Sequence, residues 1–248
     1  MNVTAYLERI NYHGPTVPSP ETLRALQLAH LQTVPFENLS IHAGEPIVLE
    51  DEDLFTKIVE RRRGGFCYEC NGLFAALLRA LGFDVKMLAA EVAKKEGGYS
   101  DPFDHMTLMI TGAQRWLVDV GFGDSFLEPL LLDDRSEQVG SERSFRVVEE
   151  DGYLILMRRE ADAWIPQYRF TLTPYQYEDF AERCSYQQTS PDSHFTQKRI
   201  CSRATESGRI TLSDMRLIET IDDERHERIL ANQQEYDAAL QQHFGIVI

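Results

Sequence analysis

The chain has 248 residues, of which 43% are hydrophobic, and its 25 basic and 40 acidic side chains give a formal net charge of −15. That length and composition predict a globular protein with one large domain or two to three smaller ones around a shared core. The acidic balance argues against a nucleic-acid-binding protein, because neutralising phosphates requires clustered Lys and Arg side chains.

The first ten residues, MNVTAYLERI, lack the basic stretch and apolar segment of a signal peptide. No apolar run approaches the roughly 20 residues that a membrane span requires. We therefore expect a cytoplasmic protein with no membrane partner. In a reducing compartment the cysteines are expected to be free thiols, whose interest is reactivity or metal binding; they are Cys67, Cys70, Cys184 and Cys201.

The first third of the sequence is predicted to be helical. Ser19 followed by Pro20 indicates a helix start, because serine caps helices and proline is favoured at the first helical position. A second helix over 51–62 is acidic at its start and basic at its end, as the helix dipole favours. A third helix runs over 67–81, with apolar residues at helical spacing, and ends at Gly82.

From residue 84 the apolar pattern changes to a period of two, which is typical of strands. The predicted strands are 85–92, 105–111, 115–120, 145–149, 153–158 and 164–172. Several short strands in series indicate an antiparallel barrel or sandwich. The pattern is mixed after residue 174, and a long helix is predicted over 224–243, ended by Gly245. This order of helices, strands and mixed structure indicates an α+β protein.

The stretch RGGFCYECNGLF at 63–74 is the most informative for chemistry. Two glycines allow a sharp turn into the helix, and Cys67 lies in its first turn. Unpaired backbone N–H groups and the helix dipole stabilise a thiolate there, so we expect a pKa lowered from about 8.5 into the 3.5–7.5 range. Cys67 is therefore a candidate nucleophile, and the alternative is a small buried residue without chemistry.

A thiol nucleophile requires a base and a group that orients the base. His105 stands out among the seven histidines because it begins an apolar strand, and Asp119 lies in the next predicted strand. If residues 112–114 form a three-residue hairpin loop, Thr107 faces Asp119 and His105 becomes its diagonal neighbour, within side-chain reach. A two-residue loop would turn Asp119 to the opposite face, so the spacing permits this pair without requiring it.

Cys67 and Cys70 also form a C-x-x-C motif, which occurs in redox pairs and zinc sites. A redox motif would fit best between a strand and a helix, whereas a helix precedes this one. A zinc site needs two further ligands, and the sequence has no second C-x-x-C. A redox or zinc-binding module built on these two cysteines therefore remains the alternative to the nucleophile.

Several motifs together resemble one known family, the arylamine N-acetyltransferases, from about residue 20 to the C-terminus. The motif RGG-x-C-x-E-x-N, followed by a histidine and then by V-D-x-G-F-G, is specific. The stretches that carry the resemblance are PFENL at 35–39, RGGFCYECNGLF at 63–74, the strand of His105, VDVGFGDSF at 118–126 and SPDSHFTQKRICSR at 190–203.

This resemblance implies a three-part fold. Residues 1–83 would form a helical N-terminal domain that carries the nucleophile, and residues 84–173 an antiparallel β-barrel domain that carries the histidine and the aspartate. Residues 174–248 would form a C-terminal α/β lid. The core of such a fold is similar to that of cysteine proteases.

The resemblance also implies a Cys67–His105–Asp119 triad, acetyl-CoA as the acyl donor and no metal. In such a mechanism the thiolate takes the acetyl group from CoA, and an aromatic amine or hydrazine then attacks the acetyl-cysteine. His105 moves the proton and Asp119 holds the imidazole. The alternative within enzymes is a related acyltransferase or amide synthase with a different donor or acceptor. The expected assembly is a monomer or homodimer.

Further roles follow from the same resemblance. Glu37 and Arg63 match a buried ion pair that supports the nucleophile's helix, although spacing alone suggests a surface pair. Gly123 matches a position where the chain passes close to the acyl site, and Phe195 matches a residue that contacts CoA. Cys70 stands where many members carry glutamine or histidine, and oxidation would be able to pair it with the nucleophile.

The acceptor site is expected at Phe122, Asp124 and Phe126, where flat apolar rings suit an aryl amine. Core packing is the alternative for both phenylalanines. Asp124 stands at a position that is basic in some members of the family. We therefore expect a preference for acceptors with a cationic substituent over acceptors with a carboxylate.

Overall fold

The computed structural model describes residues 1–141, 143–222 and 224–247, and its helices lie mainly in the first third of the chain. Within the described residues, the α-helices are α1 Val3–Arg9, α2 Pro20–Thr33, α3 Leu39–Ala43, α4 Asp51–Phe55, α5 Cys67–Ala80, α6 Ala181–Thr189, α7 His194–Gln197 and α8 Gln233–Phe244. A π-helical turn, Thr56–Glu60, follows α4, and a 3₁₀ turn, Tyr177–Phe180, precedes α6.

The helix start predicted at Ser19 and Pro20 is confirmed. The Ser19 side chain accepts the backbone N–H of Thr22 at 3.1 Å, with Pro20 at the first position of α2. The helix predicted over 51–62 is instead divided into α4 and the π-helical turn. The wider turn places Lys57 against Glu69 of α5, with Nζ 2.6 Å from Oε1. This buried ion pair lies directly behind the start of α5.

Helix α5 is central to the molecule, because every residue from 67 to 78 is buried. Its apolar side chains belong to the largest hydrophobic cluster, which also contains residues of α1, α2 and the neighbouring strands. Burial on all sides rather than along one stripe identifies it as a core helix. The predicted start at Cys67 is confirmed, and the helix ends one residue before the predicted end.

An eight-stranded antiparallel sheet forms the middle of the chain, as the period-two pattern predicts. Its order is β5-β4-β3-β2-β9-β8-β7-β6. The strands are β2 Asp84–Val92, β3 His105–Thr111, β4 Trp116–Val118, β5 Leu130–Leu131, β6 Gln138–Val139, β7 Ser144–Glu150, β8 Tyr153–Glu160 and β9 Ala163–Tyr175. A second hydrophobic cluster packs between these strands. The α+β fold with an antiparallel barrel-like sheet is therefore confirmed.

A second antiparallel sheet, of order β1-β10-β11-β12-β13, joins the two ends of the chain. Its strands are β1 Phe36–Glu37, β10 Ile200–Thr205, β11 Gly208–Ser213, β12 Arg216–Ile221 and β13 Glu224–Ile229. Strand β1, from the first third, pairs with β10, so Phe36 lies opposite Ser202. The domain boundaries after residues 83 and 173 remain a prediction.

The helix predicted over 224–243 is wrong in its first half. Residues 224–229 form β13, which pairs with β12 along its full length, and the helix begins only at Gln233. Glu and Arg favour helices in isolation, but pairing with β12 outweighs that weak preference. Asn232 marks the true start, because its side chain accepts the backbone N–H of Glu235 at 3.1 Å.

Across residues 1–141, 143–222 and 224–247, no helix combines the length and the apolar character needed to cross a bilayer.

Candidate active site

Cys67 is the first residue of α5, and its neighbours define the helix start. The backbone N–H of Phe66 donates to Oε2 of Glu69 at 3.1 Å, which fixes the turn into the helix. Gly64 is required here, since a Cβ atom at that position would lie 1.9 Å from the carbonyl oxygen of Pro35. The predicted sharp turn that presents the thiol at the helix start is therefore confirmed.

His105 and Asp119 form a direct hydrogen bond. The register of β3 and β4 pairs Ile110 with Trp116 and Leu108 with Val118, which is the register of a three-residue loop. His105 Nε2 lies 2.6 Å from Asp119 Oδ2, and both residues are buried. The predicted pairing is thus present, with Asp119 one residue beyond the end of β4 rather than inside the strand.

Asp119 accepts three further hydrogen bonds. Asn71 Nδ2 and the backbone N–H of Gly121 each donate to Oδ1 at 2.9 Å, and the Tyr168 hydroxyl donates to Oδ2 at 3.0 Å. Burial alone would raise the pKa of Asp119, but His105, Asn71 and Gly121 outweigh it and hold that pKa below its usual value. The carboxylate is therefore charged and fixed in orientation, which is what an orienting group requires.

Asn71, one turn after Cys67, connects the nucleophile's helix to β3 and to the segment that follows β4. Besides its bond to Asp119, its Nδ2 donates to the Met106 carbonyl at 2.7 Å, and its Oδ1 accepts the Val120 N–H at 2.9 Å. Our sequence interpretation assigned no role to Asn71 or to Tyr168. The i, i+4 spacing from Cys67 was the available signal for Asn71, whereas the spacing of Tyr168 gave none.

Gly121 allows the segment after β4 to approach α5 closely. A Cβ atom at this position would lie 2.7 Å from the Cys67 Cα and 2.6 Å from Asn71 Nδ2. No side chain fits in that space. The glycine therefore lets the chain that carries Asp119 pass directly against the nucleophile.

The Cys67 thiol lies in a buried environment, which corrects one expectation. Burial raises the pKa of the Cys67 thiol well above its usual value, although the backbone N–H of Met106 hydrogen-bonds to the sulfur and opposes the shift. The predicted lowering by the helix start is therefore wrong for the free protein, because desolvation is the larger effect. A resting thiol of this kind needs a base to remove its proton as it attacks.

The four thiols are free and buried. The Cys70 thiol donates to the Gly65 carbonyl at 3.1 Å, whereas Cys67 faces Met106. The two sulfurs of the C-x-x-C motif thus bind different backbone groups rather than each other. Among the residues that the structure describes, no three His, Cys, Asp or Glu side chains converge as a metal site would require.

Glu37 and Arg63 form a buried ion pair beneath the nucleophile's helix. Arg63 Nε donates to Glu37 Oε1 at 3.0 Å, and the Glu37 side chain is fully buried. Glu37 also accepts the backbone N–H groups of Leu39 at 2.6 Å and Gly64 at 3.3 Å. The pair therefore holds β1 and the turn before Cys67 together, and it is not a surface pair.

The aromatic residues predicted for the acceptor site occupy two different environments. The half-buried Phe122 ring lies against His105 and Tyr168, with ring centroids 5.0 and 5.1 Å away. Phe126 is buried and packs against Phe145, at 5.8 Å, in the core of the eight-stranded sheet. The structure thus places Phe122 beside the candidate base and gives Phe126 a packing role.

Gly123 and Phe195 lie on either side of Phe36. A Cβ atom at Gly123 would lie 3.5 Å from the Phe36 ring, and Gly123 has a φ of 88°, which favours glycine. The Phe195 ring lies 6.1 Å from Phe36 and 5.4 Å from Phe66. Gly123 and Phe195, the two residues expected near CoA, therefore both lie next to the Phe36 ring. Phe195 also lies next to Phe66, the residue that precedes Cys67.

Asp124 is bound by three arginines: Arg143, which directly precedes β7, Arg158 of β8 and Arg209 of β11. Its carboxylate lies 2.8 Å from Arg143, 3.0 Å from Arg209 and 3.8 Å from Arg158. Burial works to raise the pKa of Asp124, but Arg209 and Arg143 outweigh it and lower that pKa. Because the arginines already neutralise this carboxylate, the structure gives no support to the expected preference for cationic acceptors.

The chain matches a protein-family model described as N-acetyltransferase over residues 19–248. Among curated proteins, the pineal gland isozyme NAT-10 of arylamine N-acetyltransferase from Gallus gallus is 36% identical, over 89% of this chain and 83% of its own length. Proansamycin X synthase from Amycolatopsis mediterranei is 33% identical, over 96% of this chain and 94% of its own length.

Among solved structures, the chain is similar to Mycobacterium marinum arylamine N-acetyltransferase in complex with CoA. The TM-score is 0.92 at 32% identity, and the match covers 99% of this chain and 93% of that one. The likeness therefore extends over the whole fold, including both sheets and the helix that carries Cys67.

Proposed function

Because the chain belongs to the arylamine N-acetyltransferase family, we propose that it transfers an acetyl group from acetyl-CoA to the nitrogen of aromatic amines or hydrazines. The observation that carries this proposal is a thiol at the start of a buried helix that is bonded, through Asn71, to the aspartate of a hydrogen-bonded histidine–aspartate pair. The solved relative from M. marinum holds CoA, which supports the same donor here.

We propose Cys67, His105 and Asp119 as the catalytic residues of two successive acyl transfers. In the first, His105 takes the thiol proton, the Cys67 sulfur attacks the thioester carbonyl, the carbon–sulfur bond to CoA breaks, and the CoA thiolate takes that proton. In the second, the amine nitrogen attacks acetyl-Cys67 and the sulfur leaves. His105 returns the amine's proton to that sulfur, and Asp119 holds the imidazole throughout.

The surrounding residues have supporting roles in this proposal. The backbone N–H of Cys67 and one from the loop before His105 would stabilise the oxyanion of each tetrahedral intermediate. Phe122 offers an aromatic face to the acceptor beside His105. Gly123 and Phe195 would contact the donor, with Phe195 held against the residue before the nucleophile.

A second candidate function is supported by one comparison. Proansamycin X synthase is 33% identical to this chain, close to the 36% of the pineal gland isozyme NAT-10, and its match covers 94% of its own length against 83% for that isozyme. The same triad would then serve a related acyltransferase or amide synthase with a different donor or acceptor. We also propose a cytoplasmic monomer or homodimer without nucleic-acid or membrane partners, and the net charge of −15 supports the nucleic-acid part.

The test is release of free CoA in the presence of acetyl-CoA and a panel of aryl amines and hydrazines. We expect about one equivalent of CoA per enzyme from acetyl-CoA alone, continued release only when an acceptor is present, ping-pong kinetics, and no release with Cys67→Ser. Longer acyl-CoA donors form a second arm of the panel. Continued release only with a different acyl-CoA donor would favour the second candidate. So would a failure of every aryl acceptor in the panel to sustain release, and either result would contradict arylamine acetylation.

A further inference from the structure

The residue before the candidate base is bound by the C-terminal part of the chain. The Asp104 side chain is 11% exposed, and its Oδ1 accepts hydrogen bonds from Arg183 Nε at 2.8 Å and from the Gln187 amide. Arg183 Nη2 lies 2.6 Å from the same oxygen. Arg183 and Gln187 are four residues apart on α6, so both reach Asp104 from one face of that helix.

Gln187 extends this connection to Phe195. Its Oε1 accepts a hydrogen bond from the Ser193 hydroxyl, and Ser193 Oγ accepts the backbone N–H of Phe195 at 3.2 Å. Gln187 and Ser193 are both buried. A continuous chain of hydrogen bonds therefore runs from the residue before His105 to the aromatic residue that packs next to the nucleophile.

The backbone before Asp104 is also held in an uncommon conformation. Phe103 has a φ of 64°, in the left-handed region that a bulky residue seldom occupies. Its carbonyl accepts the Tyr68 hydroxyl at 2.8 Å, and its ring packs against Tyr175 and Phe180 at 4.7 and 5.3 Å. Such a conformation persists only where the surroundings hold it, and the contacts of Asp104 secure its C-terminal side.

Asp104 also contributes charge near the Cys67 sulfur. Burial is the main cause of the raised pKa of Cys67, and the charges of Cys184, Asp104 and Asp119 add to it. Arg183 carries the charge opposite to that of Asp104, to which it is bonded, and His105 is bonded to Asp119. The neighbouring titratable groups are Tyr68, whose pKa is raised by burial and then by Cys67 and Asp104, and His194, whose pKa burial lowers while Asp104 opposes that shift.

We propose that Asp104 is a positioning residue: bound by Arg183 and Gln187, it holds the Phe195 segment against Phe66, the residue before Cys67, and sets the local charge near the Cys67 sulfur. The part of this proposal that concerns the donor rests on the proposed function, because Phe195 matters to catalysis only if the donor binds there. The part that concerns charge does not.

The two charges of the ion pair are tested by two separate substitutions. Asp104→Asn removes the negative charge but keeps an oxygen for Arg183, whereas Arg183→Gln leaves the charge of Asp104 without its partner. We expect the pH midpoint of Cys67 alkylation by iodoacetamide to fall by about half a unit in the first variant and to rise by about half a unit in the second. Peptide mass spectrometry assigns the reaction to Cys67.

The mechanical connection is tested by Gln187→Met, which keeps the volume of the side chain but removes both of its hydrogen bonds. We expect the KM for acetyl-CoA to rise about three- to tenfold, with a smaller change in kcat and an unchanged alkylation midpoint. Asp101→Asn is the matched control, because it removes an exposed partner 3.0 Å from Arg183 without touching Asp104. It should change neither quantity.

A solely structural role predicts a different result: Asp104→Asn and Arg183→Gln would then lose activity in parallel with no opposed movement of the alkylation midpoint. That result, or an unchanged KM in Gln187→Met, would overturn the proposal. Alkylation requires neither CoA nor an aryl amine. A wild-type protein that fails to acetylate would therefore contradict the proposed function while the charge of Asp104 is still measured.

Discussion

The buried Asp119 carboxylate accepts four hydrogen bonds, from His105, Asn71, Gly121 and Tyr168. An aspartate buried in this way is costly unless each lone pair is satisfied. Its orientation is therefore determined by the donors around it, and the imidazole takes its own orientation from the carboxylate. Removing a donor should weaken catalysis without touching substrate.

Tyr168→Phe tests this inference, because it removes one hydrogen bond to Asp119 and retains the aromatic ring. We expect kcat/KM to fall about tenfold, the effect of ~1.4 kcal/mol, while the KM for acetyl-CoA changes little. Steady-state kinetics of acetyl transfer provide the measurement. Tyr153→Phe is the control, because that hydroxyl donates to Glu91, at 3.4 Å, away from the triad. Equal losses in both variants would argue against the role of Tyr168.

The strand spacing permitted the His105–Asp119 pair without requiring it, because the register depends on the length of the hairpin loop, and the family resemblance implied it. The sequence did not predict the buried thiol's raised pKa, since burial depends on what packs over α5 rather than on the helix start. The arginines around Asp124 lie 19, 34 and 85 residues away, in three separate segments, and no local pattern connects them.

Two elements meet at the nucleophile: helix α5 and the segment that follows β4. Asn71 bonds to that segment at Asp119 and Val120, and Gly121 lets it approach the helix. The contact is close enough that a single methyl group would displace one element from the other. The alignment of thiol and imidazole therefore depends on a glycine that takes no part in the chemistry.

Gly121→Ala should reduce kcat by about a hundredfold or more, because the added Cβ meets the backbone of Cys67 as well as the Asn71 side chain, and the backbone cannot move aside easily. The rate of acetyl transfer gives the readout, together with circular dichroism to establish that the fold is retained. Gly112→Ala serves as control, since the nearest atom to its Cβ would be the Gln114 carbonyl oxygen at 3.8 Å. A Gly121→Ala enzyme with near-normal kcat would contradict this account of the close approach.

Among the elements, the sequence predicted those whose pattern and packing agree. The start of α5 and six strands of the eight-stranded sheet follow from apolar spacing and turn residues, whereas the two-residue strands β5 and β6 were not predicted. Strand β13 was not predicted either, because its six residues are all exposed and carry no alternation of burial. The π-helical turn at Thr56–Glu60 likewise depends on a tertiary contact, the ion pair of Lys57 with Glu69.

Contacts between distant parts of the chain hold the whole molecule in one arrangement. Strand β1 pairs with β10, Asp104 is bound by α6, and Asp124 joins the barrel-like sheet to β11. These connections exceed sixty residues in sequence. The order of strands within each sheet therefore could not be predicted from local pattern, although the long central helix and the main strands of the eight-stranded sheet could.

His30 makes the stability of the molecule depend on pH. It is fully buried, its Nδ1 lies 2.8 Å from the Tyr6 hydroxyl, and burial lowers its pKa to about 3. In the unfolded chain His30 becomes protonated below about pH 6.5, whereas in the folded chain it stays neutral until the pH approaches 3. The contribution of neutral His30 to the free energy of unfolding is therefore fully present above about pH 6.5 and is lost as the pH falls toward 3. The loss is about 1.4 kcal/mol per pH unit within this window.

His30→Gln should remove this dependence. Urea unfolding between pH 6 and 4 should give a slope of unfolding free energy against pH that is smaller by about one proton than in the wild type. His13→Gln, at an exposed histidine, should leave the slope unchanged. Parallel slopes in the wild type and His30→Gln would contradict the assignment of this proton to His30.

The central claim, a covalent acetyl group on one buried sulfur, has a direct measurement. Intact-mass spectrometry after mixing the protein with acetyl-CoA alone should show a gain of about 42 Da on Cys67, which disappears when an aryl amine is added. The gain should be absent in Cys67→Ser and in His105→Ala, both with a retained fold. An unmodified wild-type protein that nevertheless transfers acetyl groups, or an adduct that persists in Cys67→Ser, would contradict the account.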